Sequence, residues 1–480
     1  MKKALFVLTL ITTIISLSFV PGFRQTANRK QISCNCGSLT VNFGSQVPGD
    51  ALLFANQTNA DCFAWAEFIS LNWPTSGSSF GQPLSIGAVQ WETYITREGL
   101  YTPDGSAPLP WGNPITSEHS RLLKRSNAPN TGKLLQFTSK FDVDPSSEVF
   151  DSSNIGQAFP RNGPNWLGAQ NGTNVWYEVR LNKDIYDYVV SNKYYNAKNQ
   201  ADSTASGVPI VFPKGSYNGK TGAIELKAAW MEVNDLSNPK WKRYKLSKAV
   251  VVDPNTRKSR AVVVALVGLH ILHKTEKQPQ WVWATFEQID NVPSGSAPST
   301  TYNFFNPACT SQSVNVPAAC LDSGRQSPLT VSCTANQPPG YYLCPGGPGP
   351  KPVQVTRTTP IDATATQVNQ TMQAQIRKFF PNSVWQYYQL VNVIWSTNPS
   401  PDPSSPLNVP FQLNASYMQP TIPVANTTLE TYIQGTTCTG CHTFASVART
   451  PQIPKPRTFS DFSFAIGTAG FNPLPQRKVK

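Results

Sequence analysis

Apolar and polar positions change their period along this chain, and each change marks an element. From Asp61 to Leu71, Cys62, Trp65, Ala66 and Ile69 recur at helical spacing before Trp73-Pro74, which predicts a short buried helix. Gln90 to Leu100 reads as a second helix. The middle of the chain then switches to β-branched and aromatic runs. Val175 to Leu181, Gly222 to Val233, Tyr244 to Val252, Ala261 to Leu272 and Trp281 to Ile289 each predict a strand. Short connections between them predict antiparallel neighbours, and Asn218-Gly219 is a turn signal. Asp362 to Phe380 returns to the helical period, with Val368, Met372, Ile376 and Phe379 on one face, and Val384 to Trp395 reads as another strand. Residues 101–170, rich in Pro, Gly, Asn and Ser, read mostly as loops. The expected fold class is α+β: a β-rich scaffold on an antiparallel sheet, short helices, and a small helical segment at the C-terminal end.

Composition supports a folded chain. The 480 residues are 39% hydrophobic and 11% aromatic, enough to bury a core without staples. With 30 Gly and 42 Pro, the chain lies short of the roughly 25–30% that marks low-complexity sequence, which excludes collagen and general disorder. The net charge of +13 favours acidic partners or anionic surfaces. It does not read as nucleic-acid binding. The densest basic cluster, Lys240-Trp241-Lys242-Arg243 with Tyr244-Lys245, has no accompanying DNA- or RNA-binding signature and reads as a solvated strand or turn.

Residues 1–22 resemble a signal peptide: Lys2 and Lys3, an uncharged apolar run from Ala4 to Val20, then Val20-Pro21-Gly22. An uncleaved anchor is the rival, and membrane contact is expected only in that case. Cleavage predicts an exported protein, periplasmic or secreted. The cysteines agree with an oxidising compartment. Cys309, Cys320, Cys333 and Cys344 fall in a Pro-, Ser- and Gly-rich stretch at 306–352, where two disulfides in any of three connectivities would limit unfolded freedom. Cys34, Cys36 and Cys62 allow one bridge and one leftover thiol.

The sharpest signal is Cys438-Thr439-Gly440-Cys441-His442, the C-x-x-C-H pattern of covalent haem c attachment. Two thiols one helical turn apart can add across the vinyl groups of one porphyrin edge, and the adjacent His reaches the iron as proximal axial ligand. A thioredoxin-like strand and helix around the pair is missing, and so are the further Cys or His of a zinc site. Thr427-Thr428-Leu429-Glu430 reads as a capping box that starts a short helix ahead of the motif. Thr443 to Val447 is expected to continue the helix after it, and Phe459, Phe462, Ala465 and Ile466 offer an apolar stripe for a haem wall.

From Asn426 to Val447 the chain resembles the c-type cytochromes. The runs Val267 to Thr275 and Pro279 to Glu287 are similar to stretches of large bacterial cytochrome-c-like proteins. The resemblance implies one covalently attached haem c, with Cys438 and Cys441 as thioether residues and His442 as proximal ligand. The expected division is a signal peptide at 1–22, a β-rich scaffold at 23–400 with the cysteine-bearing stretch at 306–352, and a C-terminal cytochrome-c-like haem-binding segment at 401–480. The function to expect is an exported mono-haem electron carrier that docks on a redox partner with an acidic surface. The alternatives are a haem-c enzyme, peroxidase or oxygenase, with an open iron position, and a binding scaffold with an accessory haem.

No Met follows His442, so a second axial ligand must come from earlier in the chain. Met372 and Met231 read as core, Met418 as too close to the proximal side, and His119 as exposed. His270 and His273 end an apolar strand on opposite faces. His270, between Leu269 and Ile271, is the candidate distal ligand, and His273, beside Lys274, is expected at the rim. A core His satisfied by a backbone hydrogen bond is the plain alternative for His270.

Overall fold

One long strand sets the architecture. The computed structural model describes residues 32–51, 54–112, 133–135, 167–216, 219–252, 259–294, 300–308, 314–315, 354–399, 417–443, 445–452 and 459–471. Residues 1–22, read above as a signal peptide, His119, and Cys309, Cys320, Cys333 and Cys344 lie outside the described residues. In chain order the strands are β1 (Ser33–Cys36), β2 (Leu39–Asn42), β3 (Ile95–Thr96), β4 (Leu134–Leu135), β5 (Val175–Leu181), β6 (Ile224–Glu232), β7 (Leu246–Val252), β8 (Ser259–His273), β9 (Val282–Gln288), β10 (Tyr388–Ser396) and β11 (Met418–Gln419). The helices are α1 (Gln57–Leu71), α2 (Arg97–Leu100), α3 (Lys183–Ser191), α4 (Ala197–Ala205), α5 (Ala363–Phe379) and α6 (Cys438–His442).

The main sheet runs β11-β10-β9-β8-β6-β5-β3, with β7 beside β8 and β4 outside β7. Its pairings are antiparallel except β4 with β7. The expected α+β fold on an antiparallel sheet is the one observed. At 15 residues, β8 is long enough to serve two neighbours on one edge. Ser259 to Ala265 pair with β7, and Gly268 to His273 pair with β9, while β6 takes the other edge.

Strand alternation then divides the core. Leu269 and Ile271 of β8, with Phe286 and Ala284 of β9, face α1 and α5. There Phe68 stacks on Phe286 at 4.2 Å, and Trp65 meets the same ring edge-on at 5.2 Å. Truncating such a ring costs about 3–5 kcal/mol. Leu272 and Trp283 face the other way. They join Phe459, Phe462 and Ile466 from the C-terminal segment and Ile185 and Val189 of α3 in a second core. A disulfide between Cys36 and Cys62 ties β1 to α1 across 26 residues, a closure worth roughly 3–4 kcal/mol in chain entropy. Cys34 is the leftover thiol. It lies 3.9 Å from the Met372 sulfur, and burial pushes it up to about 11.

Some local expectations fail for tertiary reasons. Gln90–Thr93 is a 3-10 turn, Ile95–Thr96 pairs with β5, and only Arg97–Leu100 is helical, capped by Thr96. The β-branched pair Ile95-Thr96 is better used as a sheet edge than inside a helix. Val384–Tyr387 is likewise a 3-10 turn before β10 begins. Lys245, expected in a solvated run, is buried 2.9 Å from Glu92 Oε2. Glu92, Glu178, Lys133, Arg180 and Lys245 form one buried charged cluster. Burial would raise Glu92, but Lys245 and Lys133 hold its carboxyl at about 2.

Asp61 in α1 yields a prediction. Burial pushes its carboxyl from 3.8 up to about 7, against one hydrogen bond from Gln57 Nε2. The folded state therefore binds the proton more tightly than the unfolded chain, so stability falls as pH rises from about 4 to about 7 and is level above that. Asp61→Asn removes this cost, which is on the order of 4 kcal/mol. Thermal unfolding should show the variant more stable than wild type at pH 8, with little difference at pH 4. Equal offsets at both pH values would contradict it.

Candidate functional site

Thr437 starts the one-turn helix α6: its backbone is extended and its Oγ1 accepts the Gly440 N–H at 3.1 Å. Cys438 and Cys441, three apart, therefore project from the same side of the turn. Cys441 is buried and Cys438 half-buried. His442 closes the helix. Its Nδ1 lies 2.7 Å from the Phe462 carbonyl, which can only accept, so Nδ1 donates. In the neutral ring this leaves Nε2 as the lone-pair nitrogen. Trp283 and Phe464 meet the imidazole edge-on, each at 4.9 Å.

The same cleft is lined by His270, Leu272, Trp283, Glu430, Cys438, Cys441 and His442. The structure thus brings together all four residues that the sequence singled out. His270 is buried on the second face of β8, and its Nε2 lies 3.0 Å from Glu430 Oε1. Glu430 Oε2 accepts the Asn426 N–H at 2.9 Å. His270 is therefore a carboxylate-oriented imidazole here. To ligate a metal it must either release Glu430 or present Nδ1.

His273, expected at the rim, is fully buried on the opposite face. It contacts Glu67 of α1 through Nδ1 and the Thr221 carbonyl at 2.6 Å through Nε2, and stacks on Phe63. The Glu67 carboxylate raises its pKa against the pull of burial. Met372 and Met231 are core, as expected, and Met418 does not line the cleft.

The flanking helices do not form. Residues 427–434 are turns and irregular backbone, not helix, and the cap is Asn426, whose Oδ1 accepts from Thr428 while Glu430 reaches back to its N–H. After His442, Ser446 bridges to Phe459 in place of a helical turn. Phe459, Phe462, Ala465 and Ile466 are buried in the second core, and it is the Phe462 carbonyl that meets His442.

The turn at 426–430 is docked on β8 and β9. Asn426 Nδ2 donates to Thr285 Oγ1 and the Phe286 carbonyl at 2.9 and 2.8 Å, and Thr427 is held by Glu287, itself paired with Arg357. Gly268 permits this approach, because a Cβ there would sit 2.1 Å from Thr428 Oγ1 and 2.9 Å from Asn426 Oδ1. Sequence reasoning missed Glu430 as the partner of His270 and Gly268 as a site residue; Trp281 and Trp283, open to stacking on a ligand but better read as buried core, are buried, and Trp283 also lines the cleft. No local pattern signals the first, a contact between residues 160 apart in sequence.

No protein family, curated protein or solved structure matches this chain. Among the described residues, no group of three or more His, Cys, Asp or Glu is placed to share one metal ion, so the C-x-x-C pair gains no third zinc ligand. The donor set fits a covalently held haem: two thiols on one turn, and an imidazole held at Nδ1 by a backbone carbonyl. The space is tight. The cleft holds about 440 Å³ counting its open mouth, but encloses only about 20 Å³, room for a water.

Gly268→Ala should destabilise the protein by roughly 1–3 kcal/mol in urea unfolding, by forcing Asn426 and Thr428 away from β8. The sign is diagnostic, since Gly→Ala in a strand with space is stabilising. A stabilised variant would show that the turn does not pack this closely.

Proposed function

We propose that this chain is an exported mono-haem c-type cytochrome that carries electrons. One observation carries the reading: α6 sets Cys438, Cys441 and a tautomer-fixed His442 on one wall of a cleft that has His270 on its sheet side. Cys438 and Cys441 would hold the haem covalently, and His442 Nε2 would be the proximal ligand. When bound, the group supplies one-electron Fe(III)/Fe(II) chemistry. The ring would occupy the open mouth and displace wall side chains, since the enclosed void is too small for it. Trp283, Leu272 and Ile433 would keep water from it, which tunes the potential. The positive net charge supports an acidic redox partner, and the segment 1–22 supports export to the periplasm or beyond.

A second reading, a haem enzyme, is favoured by a specific contact. The His270–Glu430 pair would serve to move a proton, and an imidazole kept on its carboxylate would leave one iron position open. Absorption spectra of both redox states, with a magnetic measure of spin state, separate the readings. A carrier is low-spin, without a sulfur-to-iron charge-transfer band, and is inert to cyanide and CO. An enzyme binds both rapidly. Protein that shows no haem spectrum after production with haem c maturation machinery would overturn both.

If His270 is the distal ligand, His270→Ala should convert a low-spin spectrum to a high-spin one that binds CO. An unchanged low-spin spectrum excludes it.

A further inference from the structure

We propose that the buried Lys274–Asp461 ion pair is a positioning device for His442, holding a left-handed turn whose carbonyl orients the imidazole. The proposal deepens the haem reading, since it concerns the residue which that reading makes the proximal ligand.

Asp461 and Phe462 are consecutive non-glycine residues with φ of 51° and 66°. Left-handed backbone is tolerated by Asp and costly for Phe, so two in succession persist only where the surroundings over-determine them. The surroundings do so here. Asp461 Oδ2 accepts from Lys274 Nζ and, at 2.8 Å, from the Phe212 N–H, while Trp281 Nε1 lies 3.5 Å from Oδ1. Ser463 N–H closes the turn on the Ser460 carbonyl at 3.1 Å, and the Phe462 ring packs against Phe459 and Trp283. The turn thereby directs the Phe462 carbonyl at His442 Nδ1.

Lys274 belongs to the sheet frame. It follows His273 at the end of β8, its N–H donates to the Ala223 carbonyl at 2.9 Å, and its own carbonyl accepts from Gly215 at 3.0 Å. Neither side chain of the pair is exposed, and neither lines the cleft. A fully buried ion pair contributes little net stability compared with apolar residues of similar volume, and its best-attested use is to specify one conformation. Here it specifies the turn that sets the tautomer and direction of His442, which carbonyl contacts do for metal-ligating histidines generally.

The test uses full-length protein made without haem and labelled with ¹⁵N at its four histidines, with His442→Gln identifying the signal. Wild type should show His442 in one tautomer, protonated at Nδ1 and slow to exchange. Asp461→Asn, which suits left-handed backbone but removes the charge, and Lys274→Met should each mix the tautomers and speed exchange about tenfold. His270 should not change. Lys274→Met/Asp461→Leu fills the same volume without charge and covers failure of either single variant to fold. It should be stable yet show the mixed tautomers. A wild-type His442 signal in folded Asp461→Asn or in the double variant overturns the proposal. Haem loading is read separately. A wild type that takes no haem while the tautomer result holds removes the haem reading and leaves the positioning role. Haem in the wild type with an unmoved His442 in the variants does the reverse.

Discussion

Everything at the cleft depends on strand alternation along β8 and β9. The two strands pair from Gly268 opposite Glu287 to His273 opposite Val282, and each step sends one side chain to α1 and the next to the C-terminal segment. Leu269, Ile271, Ala284 and Phe286 build the first core. Gly268, His270, Leu272, Trp283 and Glu287 are thereby left to receive Asn426 to Glu430 and His442. A slip of one residue would exchange the two sets and bury Phe286 where Glu287 now binds Thr427. The anchoring of the first face on α1 is thus what holds the second face in register for chemistry.

The second face is rich in polar groups for a buried surface, and they are linked. Glu430 joins His270 to Asn426, Asn426 joins β9, Glu287 joins Thr427 to Arg357, and Glu225 accepts Ser463 Oγ at 2.7 Å. Burial pushes Glu225 upward. Polar groups this deep are costly unless each finds a partner, and the contacts from 426–430 and Ser463 to the sheet join residues 140 or more apart in sequence. The C-terminal segment is therefore fixed to the sheet by directional bonds as well as by the apolar contacts of Phe462 and Ile466.

The sheet was legible in the chain because β-branched and aromatic runs such as Ala261 to Leu272 read as strands whatever they pair with. The opposite facing of His270 and His273 followed from the same period. Residue exposure was less legible. Lys274 suggested a rim for His273, yet Lys274 is itself buried by Asp461, 187 residues away, which no local pattern records. The turn at 426–430 misled for a different reason. Thr427 and Asn426 are both good cap residues, and only docking on Thr285 and Phe286 selects Asn426. The helix expected at Thr443 to Val447 lost to the bridge from Ser446 to Phe459, again a pairing set by the fold. The pattern Cys438 to His442 was legible because it lies in five consecutive residues, and its placement on one wall of the cleft beside His270 was not.

The most direct measurement is peptide mapping by mass spectrometry on protein produced with a haem c maturation system. One haem should remain bound through denaturation and digestion, on the single peptide that contains Cys438 to His442, and it should be lost from Cys438→Ser/Cys441→Ser. A wild-type peptide whose two thiols carry no haem would contradict the account.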